Sequence, residues 1–378
     1  MSFEDQDNLL MQEVLALAER GLTSTHPNPM VACIIMNEGQ KVGVGYHSRA
    51  GEPHAERMAL LAAGDNARGG TAYINLEPCC HQGRTPPCTD ALIDAGISRV
   101  VAAMSDPNPL VAGGGFELLT AAGIEVISGV LEDEARWLNK AFVTRMTTAK
   151  PWVTLKSAAT LDGRTAAHNG ESKWITGDAA RTHVQHIRAA ASAVLTGIGT
   201  ILADDPKLNV RLVDHARQPI RVVIDAKLEI PLNAKIIGDD SNCMVVTSIE
   251  TSKQKLDKIA ELEDLGVEIA RVKALEGSDR LDLNDVLVEL ANWQFNHVVV
   301  EAGAKLSGAF IEANLIDELV LFYAGSILGD KGRGMFDFNS SVNFSDRSEF
   351  KIRDVKMVGG DFCVSAFRQQ ALQYFGVL

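Results

Sequence analysis

Two cysteines, one histidine and one glutamate stand at spacings that could build a catalytic metal site. His54 and Glu56 form a His-x-Glu motif, and Cys79 and Cys88 follow further along the chain. One imidazole and two thiolates suit Zn²⁺, and three protein ligands leave the fourth tetrahedral position for a water molecule whose pKa the ion lowers. Glu56 would carry protons between that water and the substrate. We therefore predict that His54, Cys79 and Cys88 bind one zinc ion and that Glu56 is catalytic.

The alternative interpretation of this motif is a closed structural zinc site. Cys80 or His81 would then supply a fourth ligand. That arrangement leaves Glu56 without a role, and Cys80 adjoins a proposed ligand, so that both thiols could not readily bind one ion from a regular backbone. We interpret Cys80 as a bystander thiol.

The composition indicates a soluble globular protein with two domains. The chain has 378 residues, of which 46% are hydrophobic and 22% charged, and a formal net charge of -13. A strongly acidic protein lacks the basic face that binds nucleic acid, and no apolar run is long enough to cross a bilayer. The first residues are acidic where a secretory signal would be basic, which favours the cytoplasm, where the six cysteines would remain reduced.

Hydrophobic periodicity predicts two consecutive α/β domains, with bounds 1–147 and 148–378. In the first domain, short apolar strands alternate with helices, and the last of these helices is predicted to run from Leu131 to Phe142. A polar stretch from Thr147 to Pro151 interrupts the pattern before a second series of strands begins at Trp152. The segment from Gln369 to Leu378 carries no clear signal, and we expect a loosely attached tail there.

Glycines in the second half favour a phosphate-binding turn without proving one. Gly197 and Gly199 follow a predicted strand, but Leu202 stands where a dinucleotide fingerprint needs its third glycine. The segment from Glu301 to Gly308 follows the predicted strand 297–300 and opens a helix, a geometry in which backbone N–H groups can hold phosphate. A close-packed turn between a strand and a helix explains these glycines equally well.

Longer strings of residues resemble the bifunctional deaminase/reductases of riboflavin biosynthesis. The N-terminal strings are His-Pro-Asn-Pro at 26–29, Gly-Glu-Pro-His-Ala-Glu at 51–56, Leu-Glu-Pro-Cys-Cys-His-Gln-Gly-Arg-Thr-Pro-Pro-Cys at 76–88 and Asp-Pro-Asn-Pro at 106–109. Eight residues separate the two cysteine ligands, unlike the Pro-Cys-x-x-Cys of other zinc nucleobase deaminases. Cys80 and Ala32 stand where the family usually has Ser and Gly. The C-terminal strings lie at 155–157, 160–164, 174–176, 203–206 and 301–303.

For the N-terminal domain the resemblance implies a cytidine-deaminase-like α/β/α fold. Its substrate would be a diaminopyrimidinone that carries a ribosylamino phosphate. The family positions that contact this substrate correspond to Asn28, His47, Arg84, Asp106 and Asn108. Taken without the resemblance, the Asp-Pro-Asn-Pro string is equally a simple turn, because each of its residues favours one.

For the C-terminal domain the resemblance implies a dihydrofolate-reductase-like α/β fold that uses NADPH to convert the ribosyl group into ribityl. It also implies a homo-oligomer, a dimer or a tetramer. The family's NADPH-contacting positions correspond to Ala158, Trp174, Thr200, Asp204, Gly303, Ala304, Lys305, Leu306, Ser307, Gly308 and Ala309. Its substrate-contacting positions correspond to Lys156, Ser172, Arg188, Leu208, Arg211 and Glu301. Two arginines suit a phosphate monoester, because a guanidinium group can pair with it bidentately.

Two other functions fit parts of this pattern. A cytidine or tRNA deaminase with an unrelated C-terminal domain predicts a Pro-Cys-x-x-Cys motif and, for the tRNA enzyme, a basic surface. A zinc-stabilised RNA-binding module predicts a fourth ligand with clustered basic and aromatic residues. The net charge of -13 and the aromatic content of 6% favour neither.

Overall fold

The chain forms two units that divide between Thr148 and Ala149. The computed structural model describes residues 3–82, 86–109, 111–214, 217–238, 242–338 and 343–376. The first unit is Met1–Thr148 together with Phe375–Leu378, and the second is Ala149–Tyr374. The grouping of Phe375 and Gly376 with the first unit is a feature that the sequence pattern did not predict.

The first unit is a five-stranded sheet with helices, in the alternating α/β order that the sequence predicts. Strand order is β2-β1-β3-β4-β5, with β1 antiparallel to β2 and β3, and with β3, β4 and β5 parallel. The elements are α1 Phe3–Ala18, β1 Ala32–Asn37, β2 Gln40–Tyr46, α2 Ala55–Ala63, β3 Thr71–Ile74, α3 Cys88–Asp94, β4 Arg99–Ala102, α4 Gly114–Ala121, β5 Glu125–Ser128, α5 Glu132–Leu138 and α6 Lys140–Thr148.

Two glycines of β2 allow helix α2 to lie directly against the sheet. A Cβ atom on Gly45 would stand 2.4 Å from the carbonyl oxygen of Ala55, and one on Gly43 would stand 2.2 Å from that of Ala59. No side chain fits at either position, so the backbones of β2 and α2 approach closely. This contact fixes the start of α2, which carries Glu56.

The predicted helix from Leu131 to Phe142 is wrong, because two helices, α5 and α6, occupy this part of the chain. They are separated at Asn139, whose buried side chain accepts a hydrogen bond from Met30 N at 2.8 Å and donates one to Met30 O at 3.0 Å. These hydrogen bonds to Met30, which is distant in the chain, fix the break between α5 and α6 at Asn139. Helix α6 continues to Thr148, so the interruption of the pattern begins at Ala149 rather than at Thr147.

The second unit contains a mixed sheet to which nine strands contribute within the described residues. Strand order is β11-β10-β9-β8-β12-β6-β13-β16-β15, parallel from β11 to β13 and antiparallel at β16 and β15. The elements are β6 Trp152–Thr160, β7 Arg164–Ala166, α7 Asp178–Ala190, β8 Ala193–Gly197, α8 Ile198–Asp204, β9 Ile220–Ile224, β10 Cys243–Ser248, α9 Ile249–Gln254, α10 Leu256–Asp264, β11 Val267–Val272, α11 Leu283–Asn292, β12 His297–Val300, α12 Ala304–Glu312, β13 Glu318–Ala324, β14 Arg333–Gly334, β15 Lys351–Val358, β16 Asp361–Phe367 and α13 Gln369–Tyr374.

The C-terminal segment is packed, and the prediction of a loose tail is wrong. Helix α13 buries Leu372, and Phe375 is buried and lies edge-on to Trp137, with the ring centroids 6.0 Å apart. The segment is too short for its apolar residues to show a helical period, so its burial could not be inferred from the sequence.

Membrane-spanning helices are absent from the described ranges, where no helix combines the length and the apolar character needed to cross a bilayer.

Candidate active sites

Three elements of the first unit bring the predicted zinc ligands together. His54 is the residue before α2, Cys88 is the first residue of α3, and Cys79 follows β3. The starts of both helices therefore face the same point as the carboxyl end of a central strand. The positive ends of the two helix dipoles favour thiolates there.

The distances between the ligand atoms fit a tetrahedral zinc ion. His54 Nδ1 lies 3.5 Å from Cys79 Sγ and 3.3 Å from Cys88 Sγ, and all three ligand atoms lie within 4.8 Å of one another. Ordinary Zn–S and Zn–N bond lengths in a tetrahedron give S···N separations of roughly 3.5 Å. Among the residues that the structure describes, neither Cys80 nor His81 joins this cluster. Three ligands leave one coordination position for water, as a catalytic site requires.

The thiols of Cys79 and Cys88 share one proton between them. A hydrogen bond from Cys88 is the main reason that the pKa of Cys79 falls to about 4; burial opposes this shift, and a hydrogen bond from His54 adds to it. Cys88 holds the proton that the two thiols share, which raises its pKa. A divalent cation would replace that proton, because both sulfurs bind metal as thiolates.

Glu56 lies buried beside the cluster. It is 3% exposed and stands in the first turn of α2, two residues after His54. Burial raises the pKa of its carboxyl, and the nearby charge of Cys79 acts in the same direction. A buried carboxyl with a raised pKa is suited to accept a proton and to return it.

His47 orients the amide of Asn28 next to the metal cluster. His47 Nδ1 lies 3.3 Å from the carbonyl oxygen of Pro53, and its Nε2 lies 3.0 Å from Asn28 Nδ2. A carbonyl oxygen only accepts, so Nδ1 carries the ring proton and Nε2 accepts from the amide of Asn28. Burial lowers the pKa of His47 and so favours this neutral form. The rings of His47 and His54 are 5.5 Å apart, which places Asn28 and His47 near the ligands.

Asp106 and Asn108 form a turn at the same edge of the sheet. They follow β4, the parallel neighbour of β3, so their chain segment leaves the sheet beside Cys79. The backbone N–H of Asn108 donates to Asp106 Oδ1 at 2.8 Å. Burial is the main reason that the pKa of Asp106 rises to about 7, and the negative charges of Glu77 and Cys79 raise this pKa further. Arg84, the predicted contact near the phosphate, lies outside the described residues.

The sequence analysis did not single out Glu77, which is buried and lies two residues before Cys79. Its two carboxylate oxygens accept backbone N–H groups from the segment that contains Asp106 and from the start of α4. One signal in the sequence bears on it: the three consecutive glycines at 113–115, which let the backbone approach a neighbouring group closely.

In the second unit, Glu301 is the centre of a buried group of charges. Arg188 Nε lies 2.5 Å from Glu301 Oε1 and its Nη2 lies 3.0 Å from Oε2, while Lys156 Nζ lies 3.4 Å from Oε2. Glu301 follows β12, and Lys156 lies on the neighbouring parallel strand β6. Burial alone would raise the pKa of Glu301, but the charges of Arg188 and Lys156 outweigh burial and hold it at about 2.

Arg188, predicted to contact the substrate, is already engaged within the protein. Its guanidinium forms two hydrogen bonds to Glu301 and one to the carbonyl oxygen of Asn209 at 3.1 Å. Arg211 is exposed, with one Nη atom 3.4 Å from Asn209 Oδ1. The pair that sequence reasoning treated as equivalent therefore divides into a buried arginine and an accessible one.

The segment that was predicted to hold the phosphates of NADPH is in part exposed and in part buried. Gly303 precedes α12 and supplies no side-chain cap, and its N–H donates to Thr200 Oγ1 at 3.3 Å. An uncapped helix N-terminus of this kind is suited to phosphate. Ser307 and Gly308 are buried, and a Cβ on Gly308 would stand 2.2 Å from Asp337 O. The donor set fits a dinucleotide phosphate at Gly303 and in the first turn of α12.

The other predicted reductase contacts are dispersed around this edge of the sheet. Trp174 is 69% exposed, with the Arg181 guanidinium 4.6 Å from its ring centroid. Leu208 is buried, and Ala158 packs against a small core group that includes Phe322. Asp204 is exposed at the end of α8, and Ser172 is half-buried.

Comparison with known proteins identifies both domains. A model of the cytidine and deoxycytidylate deaminase zinc-binding region matches residues 4–104, and a model of the RibD C-terminal domain matches residues 151–364. The riboflavin biosynthesis protein RibD of Escherichia coli K12 is 43% identical over 371 residues, which cover 95% of this chain and 98% of that protein.

Solved structures agree over nearly the full length. RibD of Acinetobacter baumannii superposes with a TM-score of 0.88 at 43% identity and covers 97% of this chain and 99% of that one. A diaminohydroxyphosphoribosylaminopyrimidine deaminase/5-amino-6-(5-phosphoribosylamino)uracil reductase from Thermotoga maritima has a TM-score of 0.83 at 35% identity and covers 97% of this chain and 100% of that one.

The fold and the sites thus define a zinc-dependent deaminase joined to a reductase. The expected fold class, a cytidine-deaminase-like domain followed by a reductase domain, is confirmed. The chain belongs to the RibD family of bifunctional riboflavin biosynthesis enzymes. Its cofactors are Zn²⁺ and NADPH, as the sequence predicted.

Proposed function

We propose that the residues around His54, Cys79, Cys88 and Glu56, within a domain 1–147, deaminate 2,5-diamino-6-(5-phosphoribosylamino)pyrimidin-4-one. The domain 148–378 would then reduce the ribosyl group of the resulting aminouracil to ribityl. The observation that carries the first assignment is the three-ligand cluster, which leaves a coordination position open beside a buried carboxyl. The second rests on the uncapped start of α12 next to the buried charges around Glu301.

In the deaminase site, each residue has a separate task. When bound, zinc supplies the Lewis acidity that makes water a nucleophile at neutral pH. Glu56 takes one proton from the water as it adds to the amino-bearing carbon and gives that proton to the ring nitrogen. It then takes the second proton from the hydroxyl now on that carbon and gives it to the amino group, which leaves as ammonia while the carbonyl forms. Asn28, held by His47, and the turn that contains Asn108 orient the pyrimidine. Burial of Glu56 keeps competing water away from the proton that it carries.

In the reductase site, the exposed Arg211 is the candidate for the phosphate of the sugar. Glu301, fixed by Arg188, would accept hydrogen bonds from the ring-opened sugar, and Lys156 would steady one of its hydroxyl groups. NADPH supplies the hydride, with a phosphate at Gly303 and the first turn of α12. Thr200, next to Gly303, would complete this phosphate site.

Product analysis tests the assignment of both activities. Purified protein is incubated with the ribosylaminopyrimidine phosphate, with and without NADPH, and the products are resolved by mass spectrometry. We expect the deaminated compound without NADPH and the ribityl compound with it. If neither mixture changes while the protein is folded and binds zinc, the proposed substrate is wrong.

The protein is also proposed to form a homo-oligomer. Strand β15 lies at the edge of the nine-stranded sheet and exposes three apolar side chains: Ile352 at 63%, Val355 at 57% and Met357 at 70%. An unpaired apolar edge strand is a template for pairing with a second chain. Light scattering should therefore show a dimer or tetramer, and Met357→Lys should shift it toward monomer. Asp354→Lys, on the opposite face of β15, is the control. A monomeric wild-type protein would contradict this proposal.

A cytoplasmic location is the remaining proposal. The six cysteines, all of which lie among the described residues, form no disulfide bond, although Cys79, Cys80 and Cys88 lie close together in sequence. Thiols of this kind remain reduced in the cytosol. Fractionation of cells should find the protein with the cytosolic markers, and recovery in an oxidising compartment would contradict the proposal.

A further inference from the structure

Glu77 accepts four backbone hydrogen bonds, which is an unusual number for one side chain. Its Oε2 accepts from Asp106 N and from Gly113 N, both at 3.0 Å. Its Oε1 accepts from Gly115 N at 2.9 Å and from Phe116 N at 3.3 Å. Glu77 is 3% exposed, so these bonds are shielded from water. Carboxylates accept without donating, which suits a site where four N–H groups converge.

These four donors come from both ends of one segment. Asp106 begins the turn that contains Asn108, Gly113 lies just before α4, and Gly115 and Phe116 belong to the first turn of that helix. Glu77 itself is two residues before the ligand Cys79, and its own N–H donates to Met104 O at 2.9 Å. One side chain therefore fastens the Asp106 turn and the start of α4 to the strand end that carries a zinc ligand.

The three consecutive glycines at 113–115 are explained by the same contact. A Cβ on Gly115 would stand 2.2 Å from Pro78 O and 3.1 Å from Glu77 Oε1. Gly113 has a φ of +89°, the left-handed region that favours glycine, and a Cβ on Gly114 would stand 3.2 Å from Cys80 Sγ. The glycines let the chain come close enough for its N–H groups to reach Glu77.

We propose that Glu77 is a positioning residue for deamination, which holds the Asp106–Asn108 turn at the correct distance from the metal. This inference rests on the proposed role of that turn in binding the pyrimidine. A glutamine at position 77 keeps the shape but replaces one acceptor oxygen with an NH2 group. Two of the four N–H donors would then face another donor, and the turn would move away.

Glu77→Gln is expected to raise the deaminase KM by about 10- to 100-fold, because the displaced turn loses hydrogen bonds to the pyrimidine and buried hydrogen bonds left unmade weaken binding by about that factor. The value of kcat should change much less, since the ligands and Glu56 remain in place. Zinc content should stay at one ion per chain, and reduction of the aminouracil with NADPH should be unchanged. An unchanged KM with zinc bound would overturn the proposal, and so would a loss confined to kcat.

A matched pair of glycine variants tests the anchor without altering Glu77. Gly113 and Gly129 both have φ near +90° and have open space where a Cβ would stand. Replacement by Ala should therefore strain the backbone similarly at both sites. Of these two glycines, only Gly113 donates a hydrogen bond to Glu77. Gly113→Ala should therefore raise the deaminase KM, and Gly129→Ala should not. Equal KM values for the two variants would overturn the proposal, including in the case where Glu77→Gln loses zinc.

Asn108→Ala separates this proposal from the one on which it rests. If Asn108→Ala raises the KM and the Glu77 and Gly113 variants do not, the turn binds substrate but Glu77 does not position it. If Asn108→Ala leaves KM and kcat unchanged, the turn is not a substrate contact and the proposed function of this segment fails first. We expect all three variants to raise KM, with zinc content and reductase activity retained.

Discussion

Replacing Glu56 with Gln is expected to lower the deaminase kcat by about 10²- to 10⁴-fold, the contribution that a positioned acid or base usually makes. Glutamine keeps the size and the buried position of the side chain but cannot carry a proton. Since the proposed ligands are His54, Cys79 and Cys88, the variant should retain one zinc ion per chain. Reduction of the deaminated compound by NADPH takes place in the other domain and should be unchanged.

Glu52→Gln is the matched control for this experiment. Glu52 is exposed, lies two residues before His54 and is not part of the proposed proton path. Its replacement changes the net charge by the same amount, so its deaminase kcat should stay near the wild-type value. If Glu56→Gln deaminates at a wild-type rate with zinc bound, another group carries the proton and the role given to Glu56 is wrong.

The second large effect is expected at Glu301. Glu301→Gln would leave Arg188 and Lys156 buried without their counter-ion, and removal of one partner from a buried ion pair costs about 3–5 kcal/mol. The free energy of unfolding of the reductase unit, measured in urea, should fall by that order. Reductase kcat/KM should fall by about 100-fold, because Arg188 and Lys156 would no longer be held in place. Deamination should be retained.

The charges around Glu301 also make the free energy of unfolding of the reductase unit depend on pH. The pKa of Glu301 is about 2 in the folded protein, against an ordinary value of 4.5. A depressed carboxyl pKa adds stability that is fully present above pH 4.5 and is lost as the pH falls toward 2, a total of about 3 kcal/mol. The stability difference between wild type and Glu301→Gln should therefore shrink through this window.

Glu263→Gln provides the control for the Glu301 experiments. Glu263 is paired with Arg271 at 3.9 Å, and both side chains are about half exposed. Exposed pairs of this kind contribute about 0–1 kcal/mol, so this variant should unfold nearly as the wild type does at every pH. If the two variants lose equal stability, the charges around Glu301 do not stabilise the unit as we infer.

The zinc site was predictable because short sequence motifs contain its proposed ligands and its proposed catalytic glutamate. His54, Cys79 and Cys88 are residue types with few other uses in this pattern, and each lies at the start of a helix or the end of a strand that hydrophobic periodicity also predicts. The residues that hold the site together were not predictable in this way. Glu77 binds backbone N–H groups, which every residue except proline offers. The glycines at 113–115 indicate that the backbone comes close to another group, but the sequence does not show which group that is.

The reductase site shows the same division. Sequence comparison selected Glu301, Arg188 and Lys156 as substrate contacts, but their mutual pairing depends on the register between β6 and β12 and on the packing of α7. Lys156 and Arg188 are 145 and 113 residues away from Glu301 in the chain. Likewise, the break at Asn139 is fixed by Met30, and the packing of the C-terminal segment by Trp137, both distant in sequence.

The sequence by itself determined the family and the alternating α/β order, because long strings of residues carry the family resemblance and apolar runs mark the strands and helices. The two cofactors follow from the family, and short motifs predicted the zinc ligands. The tertiary structure alone decided which charges are buried together, where helices break, and how Glu77 fastens the Asp106 turn. Those features are contacts between distant segments, and their energies depend on burial and on hydrogen-bond distances that exist only once the chain is folded.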